Sequence, residues 1–284
     1  VVTYSTAGPC PNTATFAIGI TSLDDATFNY SAAAYCVNAT DPTPTISGVS
    51  GGTFSSTAGL SINASTGIID VSASTPGTYT VTYATVGVCA NSSNISVTIN
   101  GLDNASFNYS AAAYCTNAID PTPTITGFAG GTFSSTAGLT INASTGVIDV
   151  SASTPGTYTV TYTTSGTCPN SSTISVTVNA IDNASFSYSA ASYCTNATDP
   201  SPTITGLAGG TFSSTAGLSI NATTGVIDVS ASTPGAYTIT YTTAGSCPNS
   251  SNVSVTINAM DNATFNYSAA AYCVNATDPT ATIT

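Results

Sequence analysis

GLSINASTGIIDVSASTPGTYTVTY, at residues 59–83, alternates apolar and polar side chains between short turn sequences. At its end Tyr79, Val81 and Tyr83 fall on one face while threonines fall on the other, which is typical of a half-buried strand. The sequences NASTG and Pro76-Gly77 are turn formers that separate one apolar set from the next. The stretch therefore predicts short β-strands joined by tight turns, with no helical stripe.

The same stretch returns twice because the whole chain repeats without a gap, with GGTFSSTAGL recurring at 51–60, 130–139 and 209–218. A period of about 80 residues exceeds the roughly 20–50 residues of a solenoid repeat, so we expect each unit to close a core of its own. Val1 to Tyr4 already has the pattern of a strand interior, and we expect the chain to be part of something longer. The predicted domains are the C-terminal part of a preceding repeat at 1–21, complete repeats at 22–100, 101–179 and 180–258, and the N-terminal part of a following repeat at 259–284.

Each unit contains seven short apolar sets separated by turn residues. This pattern predicts an all-β fold: tandem immunoglobulin-like β-sandwich modules arranged end to end. Gly77-Thr78-Tyr79 is similar to a tyrosine corner, in which the hydroxyl caps the turn before a strand. The alternative is that Tyr79 and its counterparts Tyr158 and Tyr237 are simply large core residues.

Composition excludes several classes of function. The chain has no Lys, Arg or His and carries a formal charge of -12. It lacks a side chain that titrates near neutrality and an amine for covalent catalysis, so we predict no catalytic residues, no cofactor-binding residues and no enzyme activity. Nucleic acid is excluded as a partner because phosphate binding depends on cationic side chains. No apolar run of about 18 residues is present, so we expect no membrane insertion of this segment.

The cysteines alternate between a short and a long spacing along the chain, at positions 10, 36, 89, 115, 168, 194, 247 and 273. We favour disulfides within single repeats, namely Cys36–Cys89, Cys115–Cys168 and Cys194–Cys247, with Cys10 and Cys273 pairing outside the sequence. The alternative joins Cys10 to Cys36 and Cys89 to Cys115 across unit boundaries. Either pattern implies an oxidising, extracellular compartment.

Four aspartates recur where one unit meets the next. These are Asp24, Asp103, Asp182 and Asp261. Their carboxylates are weak calcium candidates, since calcium prefers several oxygen ligands. The alternative is that each is a turn former whose side chain bonds nearby backbone. No other metal or cofactor is expected.

The run at 59–83 resembles the immunoglobulin-like (cadherin-like) modules of bacterial surface proteins. Together with AAAYC before DPTPTI and CPNSS before the last strand of a unit, it resembles the tandem immunoglobulin-like (cadherin-like) repeats of giant cell-surface gliding adhesins of Bacteroidota, the SprB type. The resemblance covers the whole chain. It implies a structural segment of a long extracellular filament or adhesin, acting in cell adhesion and gliding motility. Its partners would be neighbouring repeats of the same chain and surface polysaccharide or other cells. The alternatives are a repeated glycan- or protein-binding module and the accessory domains of a large secreted enzyme.

Overall fold

The computed structural model describes residues 1–283, and every regular element in that range is a β-strand. The predicted all-β fold is confirmed. The strands of the unit at 22–100 are β3 (Phe28–Asn29), β4 (Ala34–Cys36), β5 (Thr45–Ile46), β6 (Thr53–Ser56), β7 (Ser61–Ile62), β8 (Ile69–Asp70), β9 (Gly77–Ala84) and β10 (Ser92–Asn100).

The next two units repeat this order strand for strand. The strands of the unit at 101–179 are β11 (Phe107–Asn108), β12 (Ala113–Cys115), β13 (Thr124–Ile125), β14 (Thr132–Ser135), β15 (Thr140–Ile141), β16 (Ile148–Asp149), β17 (Gly156–Thr163) and β18 (Ser171–Asn179). The strands of the unit at 180–258 are β19 (Phe186–Ser187), β20 (Ser192–Cys194), β21 (Thr203–Ile204), β22 (Thr211–Ser214), β23 (Ser219–Ile220), β24 (Ile227–Asp228), β25 (Gly235–Thr242) and β26 (Ser250–Asn258).

The flanking segments each form one small antiparallel pair. β1 (Val2–Ser5) pairs with β2 (Thr13–Phe16), and β27 (Phe265–Asn266) pairs with β28 (Thr282–Ile283). All four strands are exposed.

Each complete unit has two layers. The larger sheet has the strand order β4-β10-β9-β6, and the facing layer consists of the pairs β3-β5 and β7-β8. β9 and β10 are antiparallel, with Val81 opposite Ile95 and Thr78 opposite Thr98. β4 lies parallel to β10, and Cys36 is level with Asn100, the last residue of the unit. The parallel edge strand β4 therefore places Cys36 at the end of the unit.

The core lies between the two layers and contains a cluster of aromatic rings. Tyr83, Val81 and Ile69 are fully buried. The ring centroids of Phe54 and Tyr83 are 4.6 Å apart. The three core clusters lie within residues 26–99, 105–178 and 184–257, so each draws its side chains from one repeat.

The strand count of a unit differs from the sequence prediction, whereas the tyrosine corner agrees with it. The unit has eight strands rather than seven, because AYC at 34–36 forms β4, which carries no alternating pattern. The tyrosine corner is confirmed: the Tyr79 hydroxyl donates a hydrogen bond to the Thr75 carbonyl oxygen at 2.6 Å. Gly59 lies beside this hydroxyl with φ of +105°, and an added Cβ would be 2.8 Å from the Tyr79 oxygen. Any larger residue at 59 would therefore disturb the corner.

Candidate functional site: the junction between repeats

The residues that join one unit to the next form the candidate site. The polypeptide crosses from the first complete unit to the second at Asn100-Gly101-Leu102-Asp103. Cys36 lies on the near side of this junction, since it is paired in register with Asn100 and the amide of Val37 donates to the Asn100 carbonyl at 3.0 Å.

Cys168 lies on the far side of the same junction, in the loop between β17 and β18. The Asp103 amide donates to the Cys168 carbonyl at 2.9 Å. Asp103 also orders the loop through its carboxylate, which accepts hydrogen bonds from the Thr164 hydroxyl at 2.9 Å and from the Gly166 amide at 3.0 Å. The Asn170 amide group donates to the Asp103 carbonyl at 3.1 Å. Four hydrogen bonds thus fix the cysteine loop to the first residues of its unit.

A disulfide closes the junction by joining Cys36 to Cys168, whose Cα atoms are 5.6 Å apart. The next junction is closed in the same way by Cys115–Cys247, also with 5.6 Å between Cα atoms. Each bridge spans 132 residues of sequence. The first cysteine of one repeat is therefore bonded to the second cysteine of the following repeat.

This connectivity corrects the predicted pairing. Cys36–Cys89, Cys115–Cys168 and Cys194–Cys247 do not form, and neither do the alternative pairs Cys10–Cys36 and Cys89–Cys115. The reason is that the two cysteines of a unit lie at opposite ends of β10, one beside Asn100 and the other just before Ser92. A strand of this length separates them by roughly 27 Å, against about 6 Å for bonded cysteines.

The free cysteines follow the same rule. They are Cys10, Cys89, Cys194 and Cys273. Counting 132 residues toward the preceding repeat from Cys10 and Cys89, or toward the following repeat from Cys194 and Cys273, leads outside the 284-residue sequence. The predicted pairing of Cys10 and Cys273 beyond the sequence stays a prediction.

The calcium candidates are engaged in hydrogen bonds where the bridges form. Asp182 repeats the role of Asp103, with its carboxylate accepting from Thr243 at 2.9 Å and from the Gly245 amide at 3.0 Å. The Asp24 amide donates to the Cys89 carbonyl at 2.9 Å, and Asp261 is exposed. Within residues 1–283, no three acidic, cysteine or histidine side chains are grouped closely enough to hold a metal ion. Asp103 and Asp182 act as loop anchors in this structure, and calcium binding by the junction aspartates stays untested.

Two further aspartates in each unit have roles that sequence reasoning missed. The carboxylate of Asp41 accepts a hydrogen bond from the Val71 amide at 3.0 Å and so joins the loop after β4 to β8. Asp70 accepts from the Ala73 amide at 2.9 Å and from the Ser72 hydroxyl at 2.8 Å. These two bonds, that from the Ala73 amide first, hold the pKa of Asp70 below its ordinary value. The sequence does contain a signal for this turn. In Asp-Val-Ser-Ala an aspartate stands three residues before the amide that it accepts from, a pattern typical of Asx turns.

A surface depression lies on the β7–β8 pair and recurs on the equivalent pair of the second unit. A depression of about 370 Å³ is lined by Ser61, Ile62, Asn63, Thr66, Ile68 and Asp70. The equivalent residues from Thr140 to Asp149 line a depression of about 460 Å³ in the second unit. Each is lined by hydroxyl, amide and carboxyl groups together with two aliphatic side chains, a mixture that suits a polar ligand with apolar patches, such as a sugar.

Comparison with known proteins gives a likeness of fold alone. No family model and no curated protein matches the chain. Among solved structures, the chain is similar to mouse cadherin-23 EC22-24, with 14% identity over 84% of this chain and 100% of that one and a TM-score of 0.32. Human CDH23 EC21-23 gives 16% identity over 78% and 96%, with a TM-score of 0.31. For the protocadherin GammaB4 extracellular domain the identity is 17% over 87% of this chain and about half of that one, 52%, with a TM-score of 0.29. We draw nothing about function from likenesses of this size.

Within residues 1–283, the structure has no helix long and apolar enough to span a membrane.

Proposed function

We propose that this chain is a structural segment of a long extracellular surface filament or adhesin, serving cell adhesion and gliding motility. The observation that carries the proposal is the covalent closure of successive junctions by Cys36–Cys168 and Cys115–Cys247. A chain whose repeats are tied only by a flexible linker bends freely, whereas a peptide link beside a disulfide restricts hinge motion. Reach and stiffness are what a surface filament requires.

Composition supports the same proposal. The solvent face is built from Ser, Thr and Asn, and the chain offers no Lys or Arg to a protease such as trypsin. Disulfides persist in an oxidising compartment, which is the basis for proposing a location outside the cytoplasm. We infer no enzyme activity, and the partners we propose are neighbouring repeats first and surface polysaccharide or other cells second.

Small-angle scattering from the oxidised full chain tests the filament role. A rod of three modules and two flanks, each module advancing about 35 Å, would have a radius of gyration of about 35 Å. A compact globule of the same length would give about 19 Å. A value near the larger figure supports the proposal, and a value near the smaller one contradicts it. A matched variant with Cys36, Cys168, Cys115 and Cys247 all changed to Ser should give a broader distribution of distances, because its junctions lack the second link.

A repeated glycan-binding module is the second candidate, favoured by the equivalent depressions on the first and second units. Binding of the full chain to a glycan array measures it directly. Ile68→Ser and Val147→Ser together remove one of the two aliphatic side chains that line each depression, and any specific signal should then fall. If the wild-type chain binds no glycan, or if both proteins bind equally, these depressions are not sugar sites.

A further inference from the structure

The two bridges are interlocked along the sequence. One closes the loop from Cys36 to Cys168 and the other closes the loop from Cys115 to Cys247, so the loops share residues 115–168. Disulfides inside single repeats would instead close separate loops that share nothing.

At each junction, the second cysteine of the bridge is followed closely in the sequence by a long strand. Cys168 is followed by β18, which crosses its unit in nine residues and ends at Asn179. The chain then enters the next unit, where residues 180–194 run from the loop anchor Asp182 to Cys194, level with Asn258 at the far end. The short segment 168–194 thus crosses two whole units.

We infer that the staggered disulfides build a second covalent path that carries tension along the filament and limits its extension. Along this path, force passes from Cys36 through the bridge to Cys168, along β18 and through the following unit to Cys194. Because the segment 168–194 is already largely extended in the folded chain, this path can lengthen only a little when force is applied. Unfolding a repeat cannot lengthen the filament beyond what this path allows.

The lengths show how strong the limit is. Two folded units advance about 70 Å, whereas the segment 168–194, fully extended and with one bridge added, reaches about 95 Å. Without bridges, two repeats would extend to about 550 Å. If the register continues through further repeats, an oxidised array can therefore stretch by less than about half its folded length, whereas a reduced array can stretch about eightfold.

Force spectroscopy on the full chain, held by handle domains at both ends, tests the inference. In this chain Cys194 has no partner, so the shortest covalent path from residue 1 to residue 284 runs through Cys36–Cys168, back along the shared residues 168–115, and through Cys115–Cys247. This path contains about 125 residues, so full extension should stop at about 440 Å. Reduction with a dithiol, which is oxidised to its cyclic disulfide as each bridge becomes two thiols, should raise the limit to about 990 Å.

Variants separate this connectivity from any other. The double variant Cys36→Ser with Cys168→Ser keeps only the bridge Cys115–Cys247. This bridge still excludes its own loop from the extended length, so the limit should rise by only about 90 Å. Removing the second bridge as well should add a further increment of about 460 Å. This order, a small first step and a large second one, follows from the overlap of the loops. With bridges inside single repeats the order would be reversed, because the first pair of substitutions would break two bridges and add about 370 Å, and the second pair would break one and add about 185 Å. The contour length of the extended chain can be measured even if a variant does not fold. The wild-type chain, measured before and after reduction, provides a second measurement that needs no variant.

The matched control is Cys89→Ser with Cys194→Ser, which changes two cysteines that are free in this structure. The limit should stay at the wild-type value. A limit about 370 Å longer in this variant would mean that Cys89 and Cys194 are bonded within their repeats, and the inference would be overturned. A wild-type limit that does not change on reduction would also overturn it.

The inference assumes the proposed filament role for its use in the cell. The two fail separately, since a rod in scattering together with a long limit in force spectroscopy rejects the tension path alone. A compact globule in scattering rejects the filament.

Discussion

The amide nitrogen of Asp103 lies 2.9 Å from the carbonyl oxygen of Cys168 and donates a hydrogen bond to it. The bond joins the first residues of one unit to the loop that bears its bridging cysteine. Since Asp103 follows Asn100 closely and Asn100 is level with Cys36, the geometry brings two cysteines together that are 132 residues apart in sequence. The hydrogen bonds of the junction therefore favour this disulfide over its competitors.

Asp103→Ala should weaken this organisation. The substitution removes the acceptor of hydrogen bonds from Thr164 and Gly166, which we expect to lower the free energy of unfolding of the second unit by about 1–3 kcal/mol. Cys36–Cys168 should then form more slowly than Cys115–Cys247 during oxidative refolding, measured by quenching and peptide mapping. Asp24→Ala is the control, because neither Thr85 nor Gly87 donates to the Asp24 carboxylate within the described residues. Equal effects of the two substitutions would contradict the anchoring role.

Tyr79→Phe should remove the tyrosine corner without emptying the core. The ring stays, but the hydrogen bond to the Thr75 carbonyl is lost, so we expect the first unit to lose about 1 kcal/mol of stability. Chemical denaturation of the full chain should show this loss in the part of the transition that belongs to one unit. Tyr4→Phe serves as control, since Tyr4 is 71% exposed. If the two variants unfold alike, the corner does not stabilise the unit.

Acid should destabilise the chain through Asp70, Asp149 and Asp228. In each, a backbone amide three residues on and then a serine hydroxyl hold the pKa of the carboxyl group below its ordinary value. A lowered pKa in the folded state stabilises the fold above the ordinary value of about 3.9, and this contribution is lost as pH falls below it. The melting temperature should therefore drop below about pH 4. Replacing all three by Asn should flatten that dependence, and an unchanged slope would show that these turns do not cause it.

Calcium should leave the stability unchanged. Asp103 and Asp182 already accept hydrogen bonds from their own loops, and a calcium site needs several oxygen ligands at once. Melting curves of the full chain in millimolar calcium and in chelator should superimpose. A rise of several degrees with calcium would show that the junction aspartates bind the ion.

Much of the fold follows from local patterns in the sequence. The alternation of Tyr79, Val81 and Tyr83 predicts β9, and Gly77-Thr78-Tyr79 predicts the corner that the structure contains. The junction was harder to predict because it depends on β4. AAAYC has no alternation, and its pairing with β10 is a parallel contact between residues far apart in the sequence, such as Cys36 and Asn100. Spacing alone cannot choose among the 105 connectivities that eight cysteines allow.

A non-reducing peptide map of the oxidised full chain tests the central claim most directly. The chain has no site for trypsin, but cleavage before aspartate and after tyrosine places Cys115, Cys168 and Cys247 in three peptides of different sequence. Ile119 marks the peptide of Cys115, and Met260, the single methionine of the chain, marks that of Cys247. We predict that the peptide of Cys115 is linked to that of Cys247. A link between the peptides of Cys115 and Cys168 would contradict the account.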